Sequence, residues 1–156
     1  MMIKQITGSI SSEKMHKVWI DTNILIDRLI FRKPFDTFAF ELFTKVEDNE
    51  IIAYTSIINL IHTHYQVRKT ANELVTREMI KLISEIVIVH EISNTTHTKA
   101  LLNTAIKDFE DAVQYELAIS SKSDFFITRN LKDFPVSAPF IVCDAETYLH
   151  KYRLNE

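Results

Sequence analysis

The sequence predicts an α/β fold, with helices layered on a central, mostly parallel sheet. Three observations lead there. Short apolar, β-branched runs of strand length alternate along the chain with longer segments of helical period. The order of these segments, strand then helices and strand again, is that of crossover-connected parallel strands. Polar residues sit just after several of the strands, where such sheets place their ligand crevice.

The elements follow in order. Residues 1–16, "MMIKQITGSISSEKMH", are polar, hold the chain's one glycine, lack the apolar stretch of a secretory signal and are expected to lie outside the core. Residues 17–20, "KVWI", read as a short buried strand. A helix starts at Thr22 or Asn23 and carries Ile24, Leu25, Ile26, Leu29 and Ile30, until Pro34 interrupts. Asp36 or Thr37 caps a second helix with Phe38, Phe40, Leu42, Phe43 and Val46. "EIIAYTS", 50–56, is a strand, and helices are expected over 57–70 and 71–84. "EIVIVHEI", 85–92, is a strand, followed by helices over 95–106 and 108–123. "DFFIT", 124–128, is a strand, "RNLKDF" a loop, "PFIVCD" a last strand, and 145–154 a closing helix.

Composition removes several classes of function. With 156 residues, 46% hydrophobic and 25% charged, the chain is an ordinary globular domain. A net charge of −3 gives no overall basic footprint, so any nucleic-acid contact rests on a local patch. Gly8 stands in the leader, so neither a P-loop nor a dinucleotide-binding turn can form, and phosphate recognition must use side chains or metal ions. The single cysteine, Cys143, permits no internal disulfide and fits the cytoplasm; in a strand it reads as a small buried hydrophobe. No apolar run approaches a membrane span.

The strand ends carry the chemistry. The first strand ends at Asp21 and Asn23, the second at Thr55 and Ser56, and "DFFIT" at Thr128, followed by Arg129, Asn130 and Asp133. Asp108 and Asp111 are three apart on one helix and face the same side, while Glu110 is expected to point elsewhere, to solvent. The fold rule brings Asp21, Asp111, Asn130 and Asp133 to one end of the sheet. Each carboxylate pair at about 4 Å repels by about 4 kcal/mol at an effective dielectric near 20. A hard divalent cation removes that repulsion, and oxygen ligands suit Mg2+ or Mn2+ rather than zinc.

The blocks "WIDTNILIDRL", "YTSIINLIHTHYQVRK", "DFEDAVQYELAISSKSDFFITRNLKDF" and "IVCDAETYL", in that order over residues 17–150, resemble a PIN domain. The resemblance implies a PIN-like three-layer α/β/α domain over 17–156 and a Mg2+- or Mn2+-dependent ribonuclease of RNA phosphodiesters. It also implies a VapC-like toxin, with a cognate antitoxin and a homodimeric state. By position, Asp21, Asp111 and Asp133 take the acidic, metal-binding places. Asn23, Ser56, Asp108, Thr128 and Asn130 take supporting ones.

One departure stands out. The family's second acidic residue, usually a glutamate on the helix after the second strand, falls on His62, and no Asp or Glu occurs between Glu50 and Glu73. Neutral imidazole is a poor Mg2+ ligand. The alternative reading is therefore a catalytically weak or inactive PIN-fold module that binds RNA or protein. Blander roles compete at single positions: Asp21 and Asp108 as helix caps, and Asp133 as a loop brace. Arg68, Lys69 and Arg129, with Arg28, Arg32, Lys33 and Lys132, are candidates for an RNA-facing rim. A signalling domain phosphorylated on Asp21 would need an acidic pair early and a lysine after a late strand, which this chain lacks.

Overall fold

A computed structural model of the protein describes residues 14–152. The chain runs β1 (Lys17–Ile20), α1 (Thr22–Leu29), α2 (Asp36–Glu47), β2 (Ile52–Ser56), α3 (Ile57–Val67) and α4 (Glu73–Ile86). It continues through β3 (Ile88–His90), α5 (Asn94–Leu102), α6 (Phe109–Ser120), β4 (Phe125–Ile127), β5 (Ile141–Cys143) and α7 (Ala145–Lys151). The five strands form one sheet in the order β3-β2-β1-β4-β5, and every pairing is parallel. The expected mostly parallel sheet is thus parallel throughout.

Alternation along the strands explains the three layers. Val18 and Ile20 of β1 and Phe125 and Ile127 of β4 point into one core, with Leu25, Leu42, Phe43, Leu60, Ile83 and Leu149. Trp19 and Phe126, one residue out of phase, point into the other, with Ala112, Val113, Leu117, Phe134 and Phe140. Both faces of the central strands are covered, which is why they read as continuous apolar runs. Cys143 is buried at the end of β5, and desolvation pushes its thiol up to about 12, so it behaves as a hydrophobe. Among the described residues no helix is long and apolar enough to cross a membrane.

Most element ends shift by a few residues from the sequence reading, Phe35 rather than Asp36 or Thr37 stands at the N-cap of α2, and two departures are the clearest. The β-branched run at 86–89 suggests strand from residue 85, yet α4 runs to Ile86, because Ile83 and Ile86 pack on the first core and carry the helix forward. Only Ile88–His90 pairs, with Tyr54–Ser56 of β2. The helix expected to reach residue 106 ends at Leu102, and Asp108 then caps α6. Of the polar leader, residues 1–13 lie outside the described residues. His16, the last residue of that leader, bonds Tyr148 Oη at 2.9 Å, and its carbonyl accepts from Ile52 N–H.

The sheet changes direction at β1, with β2 and β3 laid to one side and β4 and β5 to the other. In open parallel sheets that switch point opens a crevice at the carboxyl ends of the strands. Register aligns Ile20 with Ile127, so the residues that follow, Asp21 and Thr128, emerge side by side.

A buried ion pair braces the loop after β4. Asp27 of α1 is 1% exposed, and Arg129 meets it at 2.9 and 3.1 Å and stacks over Phe35 at 4.1 Å. Burial pushes the Asp27 carboxyl up, against the pull of Arg129 and Arg32. Removing one partner of a buried pair leaves the other charge uncompensated. Arg129→Ala is therefore expected to lose about 3–5 kcal/mol in urea unfolding. A change within about 0.5 kcal/mol, as for an ordinary surface residue, would show that Arg129 braces nothing.

Candidate functional site

Asp21 stands where β1 ends and α1 begins, and it is 4% exposed. A carboxylate so placed needs hydrogen bonds to remain charged. It has four. Oδ1 accepts from Thr22 N–H at 2.6 Å and from Gln114 Nε2 at 3.0 Å. Oδ2 accepts from Thr128 Oγ1 at 2.7 Å and Asn23 Nδ2 at 3.2 Å. Asp21 is thus both the cap of α1 and the floor of a cleft. Asn23 Nδ2 is shared with Thr128 Oγ1 at 3.3 Å, and Asn130 N–H donates to the same hydroxyl at 3.0 Å.

The cleft measures about 440 Å³ and is lined by Asp21, Thr22, Asn23, Ile26, Arg32, His62, Tyr65, Gln66, Glu110, Asp111, Gln114 and Asn130. Asp111 enters it from the first turn of α6. Its backbone N–H is capped by Asp108, but its carboxylate takes no hydrogen bond from any described residue. Desolvation, with the charges of Asp21, Asp108, Asp133 and Glu110, pushes its pKa up to about 7. Asp108 caps α6 and acts on Asp111 through its charge. Asp133, at the end of the short 3-10 turn Leu131–Asp133, is exposed and reaches Asp111 through its charge as well.

Glu110 corrects the sequence reading. It does not turn to solvent. It lines the cleft and meets His62 Nδ1 at 3.0 Å, and desolvation raises its pKa against the pull of His62. An acid from α6 thus reaches the cleft beside His62 of α3. Ser56 lies beneath the cleft, where it caps α3 and donates to Asn59 Oδ1 at 2.7 Å.

The expected basic rim divides. Arg68 is tied to Ala71 O and Glu73 at the α3–α4 turn, and Arg129 is turned inward to Asp27. Lys69 lies over Tyr65 and bonds Gln66, both cleft residues, and Arg32 lines the cleft itself.

Two buried carboxamides escaped the sequence reading. Gln114, 2% exposed, lies one turn past Asp111 and bonds Asp21. Asn59, 0% exposed, lies one turn past Ser56. Their spacing from a candidate residue, three along a helix, was the available signal.

Among the described residues no three His, Cys, Asp or Glu side chains converge closely enough to ligate one ion. The donors present still suit a hard cation. Mg2+ is commonly held by one or two carboxylates with its remaining positions filled by water, and Asp111 offers an unbonded carboxylate beside Asp21.

The profile of the PIN domain matches residues 17–132. No curated protein sequence matches the chain. Among solved structures, VapBC2 from Rickettsia felis, bound to a promoter DNA fragment, is similar at a TM-score of 0.62 and 18% identity, over 82% of this chain and 98% of that one. VapC20 from Mycobacterium tuberculosis, a toxin that cleaves the sarcin-ricin loop, is similar at 0.59 and 14%, over 80% and 96%.

Asp111 sets a pH signature. Its native pKa, about 7, lies above the ordinary 3.8, so the native state holds the proton more tightly than the unfolded one. Its favourable contribution is full below about pH 4 and is lost as pH rises through about 7. In chelator, Asp111→Asn should match the parent at pH 4. At pH 8 it should melt higher by a few degrees, from about 1–2 kcal/mol after solvent screening. Equal melting of the two proteins at pH 8 would show that no repulsion is stored there.

Proposed function

The chain belongs to the PIN domain family, and from that premise we propose that it is a metal-dependent endoribonuclease, the toxin of a toxin–antitoxin module. The observation that carries the reading is Asp111, a half-buried carboxylate without a donor among the described residues, set beside Asp21 in an open cleft at the switch point of the sheet. A bound Mg2+ or Mn2+ would neutralise that repulsion and activate a water for attack on a phosphodiester.

The chain's own residues divide the remaining work. Asp21 and Asp111 would hold the cation, with Asn130 at the cleft and Asp133 behind it adding a carboxamide and a carboxyl. Thr128 and Asn23 keep Asp21 aimed. Asn23 Nδ2 has Thr128 Oγ1 as a second partner, so Asn23 can release Oδ2 while the shorter Thr128 bond holds it in place. Glu110, paired with His62, returns a negative charge to the side where the family usually brings a glutamate from α3. Lys69 and Arg32 meet the phosphates of the RNA.

The likeness to VapBC2 and VapC20 supports a cognate antitoxin as partner and RNA as substrate. A homodimer has support from α3, whose Ile57, Ile61 and Tyr65, spaced by four along one face, are 52%, 57% and 65% exposed. The lone buried cysteine accords with a cytoplasmic protein. A second reading, a binding module without catalysis, is favoured by His62 at the acidic position and by the absence of a three-ligand cluster among the described residues.

Asp21→Asn and Asp111→Asn are each expected to cut RNA cleavage at least about a hundredfold, or about 2.7 kcal/mol of charge stabilisation, with the fold kept. Glu110→Gln should lower it by about tenfold or more. Cleavage by Asp21→Asn at the parent rate in Mg2+ or Mn2+ would refute the mechanism, and no Mn2+ uptake at millimolar levels with RNA binding retained would favour the second reading.

On the α3 face, Ile61→Asp is expected to convert a dimer to a folded monomer in light scattering. A dimer that survives the substitution would place the interface elsewhere.

A further inference from the structure

Beneath the cleft lies a closed polar network that the proposed reaction does not by itself require. Gln114 is its hub. Its Oε1 accepts two hydrogen bonds, from Trp19 Nε1 at 3.1 Å and Asn59 Nδ2 at 2.9 Å, and its Nε2 donates to Asp21 Oδ1 at 3.0 Å. Trp19 and Asn59 are 0% exposed and Gln114 2%. The chemistry leaves one orientation for this amide. Turned over, its NH2 would face two N–H donors and its carbonyl would face a carboxylate. Asn59 is fixed the same way: Oδ1 accepts from Ser56 Oγ at 2.7 Å, and Nδ2 donates to Gln114 and to Ile20 O at 3.1 Å.

We infer that Gln114 is a positioning residue for Asp21. It fixes the rotation of the carboxylate by holding Oδ1 together with Thr22 N–H, and so keeps Oδ2 on the side of Thr128 and Asn23. The inference rests on the proposed metal-dependent reading and deepens it. A glutamine that merely filled core space would need no acid as partner, and an aliphatic side chain would fill the same volume without three buried polar contacts to satisfy. The geometry also orders the chain of control. Ser56 at the end of β2 orients Asn59, Asn59 and Trp19 orient Gln114, and Gln114 orients Asp21 across 93 residues of sequence. Asp111 sits one turn before Gln114 on α6. The helix that delivers the unbonded carboxylate therefore also sets the angle of the bonded one.

Trp19 makes the network observable, since it is the only tryptophan of the chain. Its indole N–H ends on the same oxygen that Asn59 holds, two bonds from Asp21. A cation drawn to Asp21 should therefore alter Trp19 emission and its indole N–H resonance with the same midpoint as direct Mn2+ binding.

The test uses the full chain, Mn2+ and two substitutions. Gln114→Glu keeps the acceptor for Trp19 and Asn59 but sets an oxygen against Asp21 Oδ1. Gln114→Met removes both. Gln114→Glu, with Trp19 still buried by its emission, is expected to weaken Mn2+ binding by about 10–100-fold. It should lower kcat for RNA while leaving KM within about twofold, and it should uncouple Trp19 emission from Mn2+. Gln114→Met should show the same loss of affinity together with a lower Tm. Parent-like Mn2+ affinity and kcat in a folded Gln114→Glu protein would overturn the inference. If neither variant folds, the comparison of wild type with Asp21→Asn decides: a shift of the Gln114 side-chain amide and Trp19 indole resonances supports it, and unmoved resonances overturn it. A wild type that takes up no Mn2+ refutes the metal-dependent reading instead, and the same resonance comparison then judges the role of Gln114 separately.

Discussion

A single buried carboxylate organises this molecule. Asp21 is 4% exposed at the junction of β1 and α1, and a desolvated ion costs several kcal/mol unless hydrogen bonds replace its water. Four donors do so, from Thr22, Asn23, Gln114 and Thr128. They come from the start of α1, the middle of α6 and the end of β4. Each element is therefore tied to one point, and that point lies where the parallel sheet reverses its order. The backbone joins in, since Asp21 N–H donates to Ile127 O at 3.1 Å.

Around that point the cleft is asymmetric. Asp21 has every lone-pair direction supplied, whereas Asp111, which faces it from α6, has none supplied by a side chain among the described residues. One side is preorganised and the other carries unrelieved repulsion, the condition in which a cation gains most from binding. Glu110 of α6 meets His62 of α3 across the cleft at 3.0 Å. Its carboxyl thus lines the cleft from α6, with the imidazole as partner.

Behind the loop that carries Asn130 and Asp133, a second ion pair has a different task. Asp27 and Arg129 are closed off by Phe35, and Arg32 stands 3.8 Å from the same acid. This pair ties α1 to the segment after β4, the two elements that also supply Asp21 and Thr128. Arginine at this position therefore serves the scaffold of the cleft.

Local pattern in the sequence was enough for the order of the elements, the parallel layering and the placing of Asp21, Asn23, Thr128 and Asn130 just after strands, because a period of two or 3.6 and a polar residue ending an apolar run are properties of neighbours along the chain. It also excluded phosphate-binding glycine loops, since the one glycine lies at residue 8. Only the tertiary structure decided which way Glu110 turns, that Arg129 faces inward, that α4 continues through Ile86 and that Gln114 and Asn59 stand under the cleft. Those outcomes depend on partners far away in sequence: Glu110 on His62, 48 residues before it, Arg129 on Asp27, 102 before it, and Gln114 on Trp19 and Asp21, 95 and 93 before it. A polar side chain on an apolar helix face has no local feature to say whether it meets solvent or a buried partner. That is set by which helices pack together, and packing is where burial and hydrogen-bond satisfaction are resolved together.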